Sequence, residues 1–398
     1  MFYFVYPQLR KLSGAERLIL KLADYVTRAG ERVTLVTHRL ADECRPALGA
    51  QVRVVETHTN LSHLGQHYLD APFEYLASPR LLSLIGRDAR AITFFGPPSL
   101  PALWWSRSIA PLKIPYLYFC YEPPRFAYSD TDEVGARLGP LGRFAARVLP
   151  LYRFIDRALV GRADVLLANS SFGAGLLASA YRRPATVITH GADFDPPDPA
   201  RVAELEAAYK LTDRPVVLTV NFLHPRKRID LYLEALDIVR RAFPNVLGLI
   251  VGAGPERSRL ETLADKLGLC QNVRFTGFIP DRDLPAHYAL ADVYVNPAKL
   301  ESFGLSVLEA SAASLPVVSV NEGGPREIVA DGETGFLTAA SPDALADKIC
   351  ALLSDDAKRA QFGRAGRARV DSHYQWQFGA RAFLDAVAQA TAGHGPAQ

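Results

Sequence analysis

From residue 2 to residue 338, short runs of β-branched and aromatic residues alternate with amphipathic stretches of helical period. This alternation constrains the fold more than any other feature, because strands separated by helices are joined by crossovers and build parallel sheets. Strands are predicted at 2–6, 32–37, 51–56, 91–95, 115–120, 164–168 and 185–188, then at 216–220, 247–251, 272–275, 292–295, 316–319 and 335–338. The helix after Ser13-Gly14 carries Leu18, Leu20, Leu22, Ala23 and Val26 on an apolar stripe and stops near Gly30. Between the two series, residues 191–200 hold three prolines and no periodicity, the pattern of a linker. A chain of 398 residues exceeds one ordinary core, so two α/β halves are expected.

Composition narrows the class. With 49% apolar and 22% charged residues, the chain reads as a soluble globular protein. It has no apolar run of about 18 residues, the length a spanning helix needs. The start, Met-Phe-Tyr-Phe-Val-Tyr-Pro, has neither a basic region nor a cleavage site and is expected to be a first strand, not a signal peptide. Cys44, Cys120, Cys270 and Cys350 show no Cys-x-x-Cys spacing, which fits reduced thiols in a cytoplasmic setting. Residues 1–199 hold 23 Lys/Arg against 18 Asp/Glu, and residues 200–398 hold 22 against 24, too weak an imbalance for a nucleic-acid-binding protein. Within the basic half, residues 137–162 set Arg137, Arg143, Arg147, Arg153, Arg157 and Arg162 among Leu138, Leu141, Phe144, Val148, Leu151, Phe154 and Ile155. Such a stretch can lie on an anionic membrane surface, peripheral to the inner face of the plasma membrane. It can also be a solvated helix with its apolar side against the first domain, the reading the pattern favours slightly.

The chemistry concentrates in Glu301-Ser-Phe-Gly-Leu-Ser-Val-Leu-Glu309. On a continuous helix, carboxylates at this spacing would share roughly one face. The preceding run, Ala291 to Pro297, reads as a buried strand, so Glu301 falls in a strand-to-helix turn. Ser302 is placed to cap, and the helix is expected from Phe303 onward. The N–H groups of Gly304, Leu305 and Ser306 would then point out of a helix N-terminus, where phosphate oxygens bind well. Glu309, deeper along the helix, is placed to accept hydrogen bonds from vicinal hydroxyls such as those of a ribose. The layout suits a nucleoside diphosphate linked to a sugar.

Flanked by Asp292-Val-Tyr-Val-Asn-Pro and Ala310-Ser-Ala-Ala-Ser-Leu-Pro-Val-Val, this Glu-x7-Glu resembles that of the retaining glycosyltransferases of family 4, whose fold is GT-B. The resemblance runs in order along most of the chain and is strongest from about 215 to 340. It includes Ser13-Gly14-Ala-Glu16-Arg17, Val-Gly-Ala-Gly-Pro at 251–255, Thr-Gly-Phe-Ile-Pro at 276–280 and the Glu-Gly-Gly-Pro segment that opens 322–336. It implies two Rossmann-like α/β domains with parallel sheets facing across a cleft. Residues 1–192 would bind the acceptor, residues 193–372 the nucleotide sugar, and 373–398 would form a helix crossing back to the N-terminal domain. It also implies retaining transfer of a sugar from GDP-mannose or a UDP-sugar to a glycan or lipid-linked acceptor in cell-envelope or exopolysaccharide assembly. The mannosyltransferase-like subgroup fits the Pro-Pro-Arg segment at 123–125.

The same resemblance assigns roles. Glu301 would accept hydrogen bonds from the transferred sugar, and Lys227 would reach both phosphates. Gly14 would let the backbone approach the diphosphate, and Ile279 would read the base edge through its backbone. Ser302, Phe303, Gly304, Leu305 and Ser306 complete the donor pocket with Glu309. Two departures stand out. Asn221 or Phe222 occupies the place of the family arginine, with Arg226 and Arg228 near enough to substitute. Tyr121 replaces the family histidine that contacts the donor sugar, and Glu122 and Arg125 beside it are the acceptor-binding candidates. These departures keep open a nucleotide-sugar-binding scaffold without catalysis, and another GT-B enzyme such as an epimerase or a phosphorylase. Asp130-Thr-Asp132, Asp193-Phe-Asp195 and Asp281-Arg-Asp283 fall in loops or at a helix start, not at a buried strand end, so no cofactor or obligatory metal is expected. Gly252-Ala-Gly254 lacks the third glycine of a dinucleotide fingerprint, since Arg257 stands in its place. His190 is expected to be structural. Aromatic residues crowd residues 94–128, some as core and some suited to sugar faces.

Overall fold

A computed structural model describes residues 1–10, 12–59, 76–109, 111–129, 140–193 and 195–393, apart from the side chains of 140–146. Arg137, Leu138 and the Asp130–Asp132 tripeptide lie outside these residues, as do the side chains of Leu141, Arg143 and Phe144. The chain divides into two compact units, Met1–His190 together with Trp376–Gln398, and Gly191–Gln375.

The first unit is a seven-stranded parallel sheet. Its strands are β1 (Phe2–Val5), β3 (Val33–Thr37), β5 (Arg53–Glu56), β6 (Ala91–Phe95), β7 (Tyr116–Phe119), β8 (Val165–Ala168) and β9 (Ala185–Val187), in the order β5-β3-β1-β6-β7-β8-β9. Parallel sheets are covered on both faces and need unbroken apolar strands, and β1, β3, β6 and β7 are buried at every position. The pleat sorts β1 between two cores. Phe2 and Phe4 join Leu18, Ile19 and Leu22 of the helix Gly14–Arg28, while Tyr3 and Val5 join Phe94, Tyr116 and Tyr118. Most of the aromatic crowding at 94–119 is therefore sheet interior. Two-residue strands β2 (Gln8–Leu9) and β4 (Arg39–Leu40) pair with each other, too short to leave a periodic trace in the sequence.

The last helix, Trp376–Gly393, closes the first unit. Phe383 sets its ring edge-on to Phe4 at 5.3 Å and to Phe2 at 6.2 Å. A Cβ on Gly379 would overlap the carbonyl oxygen of Thr189, so glycine allows this close approach.

The helix Pro140–Val160 corrects one expectation, that of a helix resting its apolar side on the domain. Arg153, Asp156 and Arg157 turn inward. Arg153 Nε donates to the Ala127 carbonyl (2.6 Å) and Arg157 Nε to that of Ala180 (2.7 Å). Buried Asp156 accepts from the Tyr128 hydroxyl (2.9 Å). Val148, Leu151, Phe154 and Ile155 are left 40–70% exposed on the outer side.

The second unit is a six-stranded parallel sheet, β12 (Val273–Gly277), β11 (Leu247–Val251), β10 (Val216–Val220), β13 (Val293–Asn296), β14 (Val317–Val320) and β15 (Gly335–Thr338), hydrogen-bonded in that order. The chain builds outward from β10 through β11 to β12, then resumes at β13 on the other flank of β10. Open parallel sheets bind ligands outside the carboxyl ends of their strands, at this reversal of order. The segments that follow β10 and β13 contain Lys227 and Glu301.

Candidate active site

After β10, Asn221 is committed to the strand end. Its Nδ2 donates to Thr219 Oγ1 (2.9 Å) and its N–H to the Val251 carbonyl (2.9 Å). Gly252, at φ +134°, accommodates this, since a Cβ there would overlap the Asn221 carbonyl. Phe222 is 61% exposed and lies nearly parallel to the His224 ring. Pro225–Lys227 forms one 3-10 turn, Arg228 adopts a left-handed φ of +47°, and the helix Ile229–Ala242 follows. Lys227 Nζ ion-pairs with Glu301 Oε2. Arg228 Nη1 pairs with Glu322 Oε1 at 3.0 Å, and the Arg226 carbonyl accepts from Lys299 N (2.8 Å).

After β13 the expected helix start needs correction. The helix spans Leu305–Ala312, and its cap residue is Gly304 at φ +101°, not Ser302. The physical reason lies in Phe303, which is 3% exposed and sets its ring edge-on to Tyr374. Burying that ring draws Ser302 and Phe303 into a turn, and only after the left-handed glycine does the chain enter the helix. Leu305 and Ser306 are the first helical residues, and N–H groups at that position have no acceptor within their own helix. Glu309, partly buried, accepts from the Tyr288 hydroxyl at 2.8 Å. Gly323 and Gly324 bring the loop after β14 against this turn. Gly324 N donates to the Glu301 carbonyl (2.8 Å), and a Cβ on either glycine would overlap the backbone of 301–303. Ile279, half-buried, packs on the core beneath, beside Phe278, which is 76% exposed.

Lys227, Glu301 and the Arg228–Glu322 pair thus meet at the carboxyl ends of β10, β13 and β14, with Glu309 on the helix that follows Glu301. Tyr288 and Glu322 were not singled out from the sequence. Tyr288 lies in the short helix Leu284–Ala289, where periodicity marks it only as a core residue. Glu322 opens the Glu-Gly-Gly-Pro segment, where the glycines carry the visible signal.

The remaining candidates lie in the first unit. Gly14 is the first residue of its helix, with Ser13 at the N-cap position. Buried Glu16 accepts from the hydroxyls of Ser13 and Tyr6, the second at 3.2 Å, so this carboxylate clasps the helix start. Tyr121 donates its hydroxyl to the Ala15 carbonyl (3.2 Å), and burial pushes its pKa well above the usual tyrosine value. Glu122 and Arg125 form an ion pair with each other. His190 is 2% exposed against Trp376; burial, with a contribution from the Arg17 charge, lowers its pKa to about 3, so the imidazole is neutral. Among the described residues, no group of three or more His, Cys, Asp or Glu side chains is arranged to hold a metal ion. No helix among them is long and apolar enough to cross a membrane.

Known proteins resemble this chain in both halves. A family model described as "Glycosyl transferases group 1" matches residues 202–369, and one described as "Glycosyl transferase 4-like domain" matches residues 13–191. A GDP-mannose-dependent alpha-(1-6)-phosphatidylinositol monomannoside mannosyltransferase of Mycolicibacterium smegmatis is 37% identical, over 61% of this chain and 70% of that protein. The protein of the same description from Mycobacterium tuberculosis is also 37% identical, over 58% of this chain and 63% of its own length. The crystal structure of Anabaena HepE with UDP and glucose superposes with a TM-score of 0.73 over 98% of this chain and 99% of that one, at 20% identity, a likeness of fold.

Proposed function

This chain belongs to the family 4 glycosyltransferases of GT-B fold, and on that premise we propose that it transfers mannose from GDP-mannose to a lipid-linked acceptor of the phosphatidylinositol mannoside class, with retention and without an obligatory metal. The observation that carries this reading is the meeting of Lys227 with Glu301 at the reversal point of the second sheet, with Glu309 on the helix beyond. In the reaction the bond from the anomeric carbon to the diphosphate oxygen breaks, and the acceptor hydroxyl oxygen bonds to the same face. The departing diphosphate takes the acceptor's proton. Negative charge grows on the diphosphate, where Lys227 and the N–H groups of Leu305 and Ser306 stabilise it. Glu301 accepts hydrogen bonds from the mannosyl hydroxyls, and Glu309 does so from the ribose. Positioning of this kind, without covalent catalysis, is enough to account for a large part of the barrier reduction.

GDP-mannose is favoured over UDP-sugars by the donor named for the mycobacterial relatives, whereas HepE was solved with UDP and glucose. The lipid acceptor rests on the same relatives and on the exposed stripe of Val148, Leu151, Phe154 and Ile155, next to exposed Arg147. Apolar side chains on an outer helix face, with a cation beside them, suit an anionic membrane interface on the cytoplasmic side. A thermal-shift screen tests the donor assignment, because a ligand that binds only the folded state raises the melting temperature by mass action. GDP and GDP-mannose are expected to stabilise the protein more than UDP or UDP-glucose. Stabilisation by UDP compounds alone would replace the donor, and stabilisation by none of the four would remove the reading.

A further inference from the structure

Of the non-glycine residues of the second unit with left-handed backbone, Lys210, Asp213, Arg228, Leu300 and Ser314, two adjoin a proposed catalytic side chain. Arg228, at φ +47°, directly follows Lys227, and Leu300, at φ +46°, directly precedes Glu301. Side chains with a Cβ disfavour this conformation, and it persists where the surroundings fix it. The surroundings here converge on one carboxylate. Glu322 Oε1 pairs with Arg228 Nη1 at 3.0 Å, and Glu322 Oε2 accepts from the Leu300 N–H at 3.3 Å. Both partners of the ion pair are about one quarter exposed, so solvent screens it only in part. The next two residues, Gly323 and Gly324, press against the backbone of 301–303, which fixes where the Glu322 side chain begins.

From this arrangement we infer that Glu322 is a positioning residue for transfer, holding the backbone on both sides of the Lys227–Glu301 pair. It touches neither substrate nor reacting atoms. One carboxylate sets the turn that aims Lys227 and the turn that aims Glu301, so the distance between the cation and the sugar-facing carboxylate is fixed before the donor arrives. Arg228 then serves as the strut of this device, held away from the diphosphate by its partner. The inference rests on the reading of Lys227 and Glu301 under Proposed function.

The test uses Glu322→Gln in the full chain, with GDP affinity by calorimetry and transfer kinetics from GDP-mannose. Loss of the carboxylate is expected to lower kcat at least tenfold while GDP affinity changes less than threefold. Leu300→Gly placed on top of Glu322→Gln is expected to restore much of kcat, because glycine adopts positive φ without help. A merely structural role would lower the melting temperature without this rescue. Wild-type kcat in Glu322→Gln, or a loss that Leu300→Gly leaves unrelieved, overturns the inference and leaves the donor site standing. A wild-type protein that binds no nucleoside diphosphate overturns both.

Discussion

Glu309→Ala is the most informative single change in the donor pocket. The carboxylate is oriented by the Tyr288 hydroxyl at 2.8 Å and is only partly buried, so it is fixed but accessible. Hydrogen bonds to a charged group are worth about 1.5–3 kcal/mol each, less what the group gives up by leaving water. Two ribose hydroxyls donating to a pre-oriented carboxylate should therefore contribute a net of about 1–3 kcal/mol. That corresponds to a loss of about 5- to 150-fold in GDP affinity. The alanine variant also leaves the buried Tyr288 hydroxyl with its longer bond to the Ser306 carbonyl (3.4 Å) in place of the carboxylate, which costs about 0.5–1.5 kcal/mol of fold stability. Glu309→Gln separates the two effects, since the amide oxygen still accepts from Tyr288 while the charge is gone. Calorimetric titration with GDP should show both variants weakened, with the melting temperature lowered mainly in the alanine variant. Unchanged GDP affinity in both would refute the assignment of Glu309 to the ribose.

Three further outcomes are expected. Lys227→Ala should reduce transfer by about 100- to 1000-fold, the usual range for removing one preorganised donor to developing charge; turnover within threefold of wild type would contradict its role. Burial lowers the pKa of His190 to about 3 and that of His38 to about 4, with Arg17 and Arg80 adding to the effect. The unfolded chain thus binds protons near pH 6.5 that the folded chain refuses, so this stability is full above about pH 6.5 and is lost as pH falls. At pH 5 the loss is about 2 kcal/mol per histidine, and a melting temperature flat from pH 7.5 to 5 would contradict it. Leu151→Glu combined with Phe154→Glu should reduce co-sedimentation with phosphatidylinositol-containing vesicles at least tenfold while sparing GDP affinity; equal sedimentation would sever the helix Pro140–Val160 from any membrane role.

The parallel-sheet architecture was legible because buried parallel strands need continuous apolar runs, and runs such as Val216–Val220 and Leu247–Val251 stand out against helical periodicity. Glu301 and Glu309 stood out as candidates through their spacing, and Lys227 through the family resemblance. What spacing could not show was the partner of each side chain. Arg226 and Arg228 read alike as basic residues near a phosphate, yet only the fold brings Glu322 to Arg228 from nearly a hundred residues away. Tyr121 read as a polar group at a strand end, and its bond to the Ala15 carbonyl depends on how the helix Gly14–Arg28 packs. The helix start at Leu305 was misplaced by two residues because Ser302 is a good cap, whereas burial of Phe303 decided the turn.

Retention without a metal is the central chemical claim, and the product reports it directly. GDP-mannose and a phosphatidylinositol mannoside acceptor are incubated with the protein in excess chelator, and the new linkage is examined by NMR. Mannose has an axial 2-hydroxyl, so the one-bond carbon–hydrogen coupling at the anomeric centre is read rather than the proton–proton coupling. Transfer that persists in chelator and gives the α-mannoside, the configuration of the donor, is the expected result. A β-mannoside, or transfer that appears only when divalent metal is added, would contradict it.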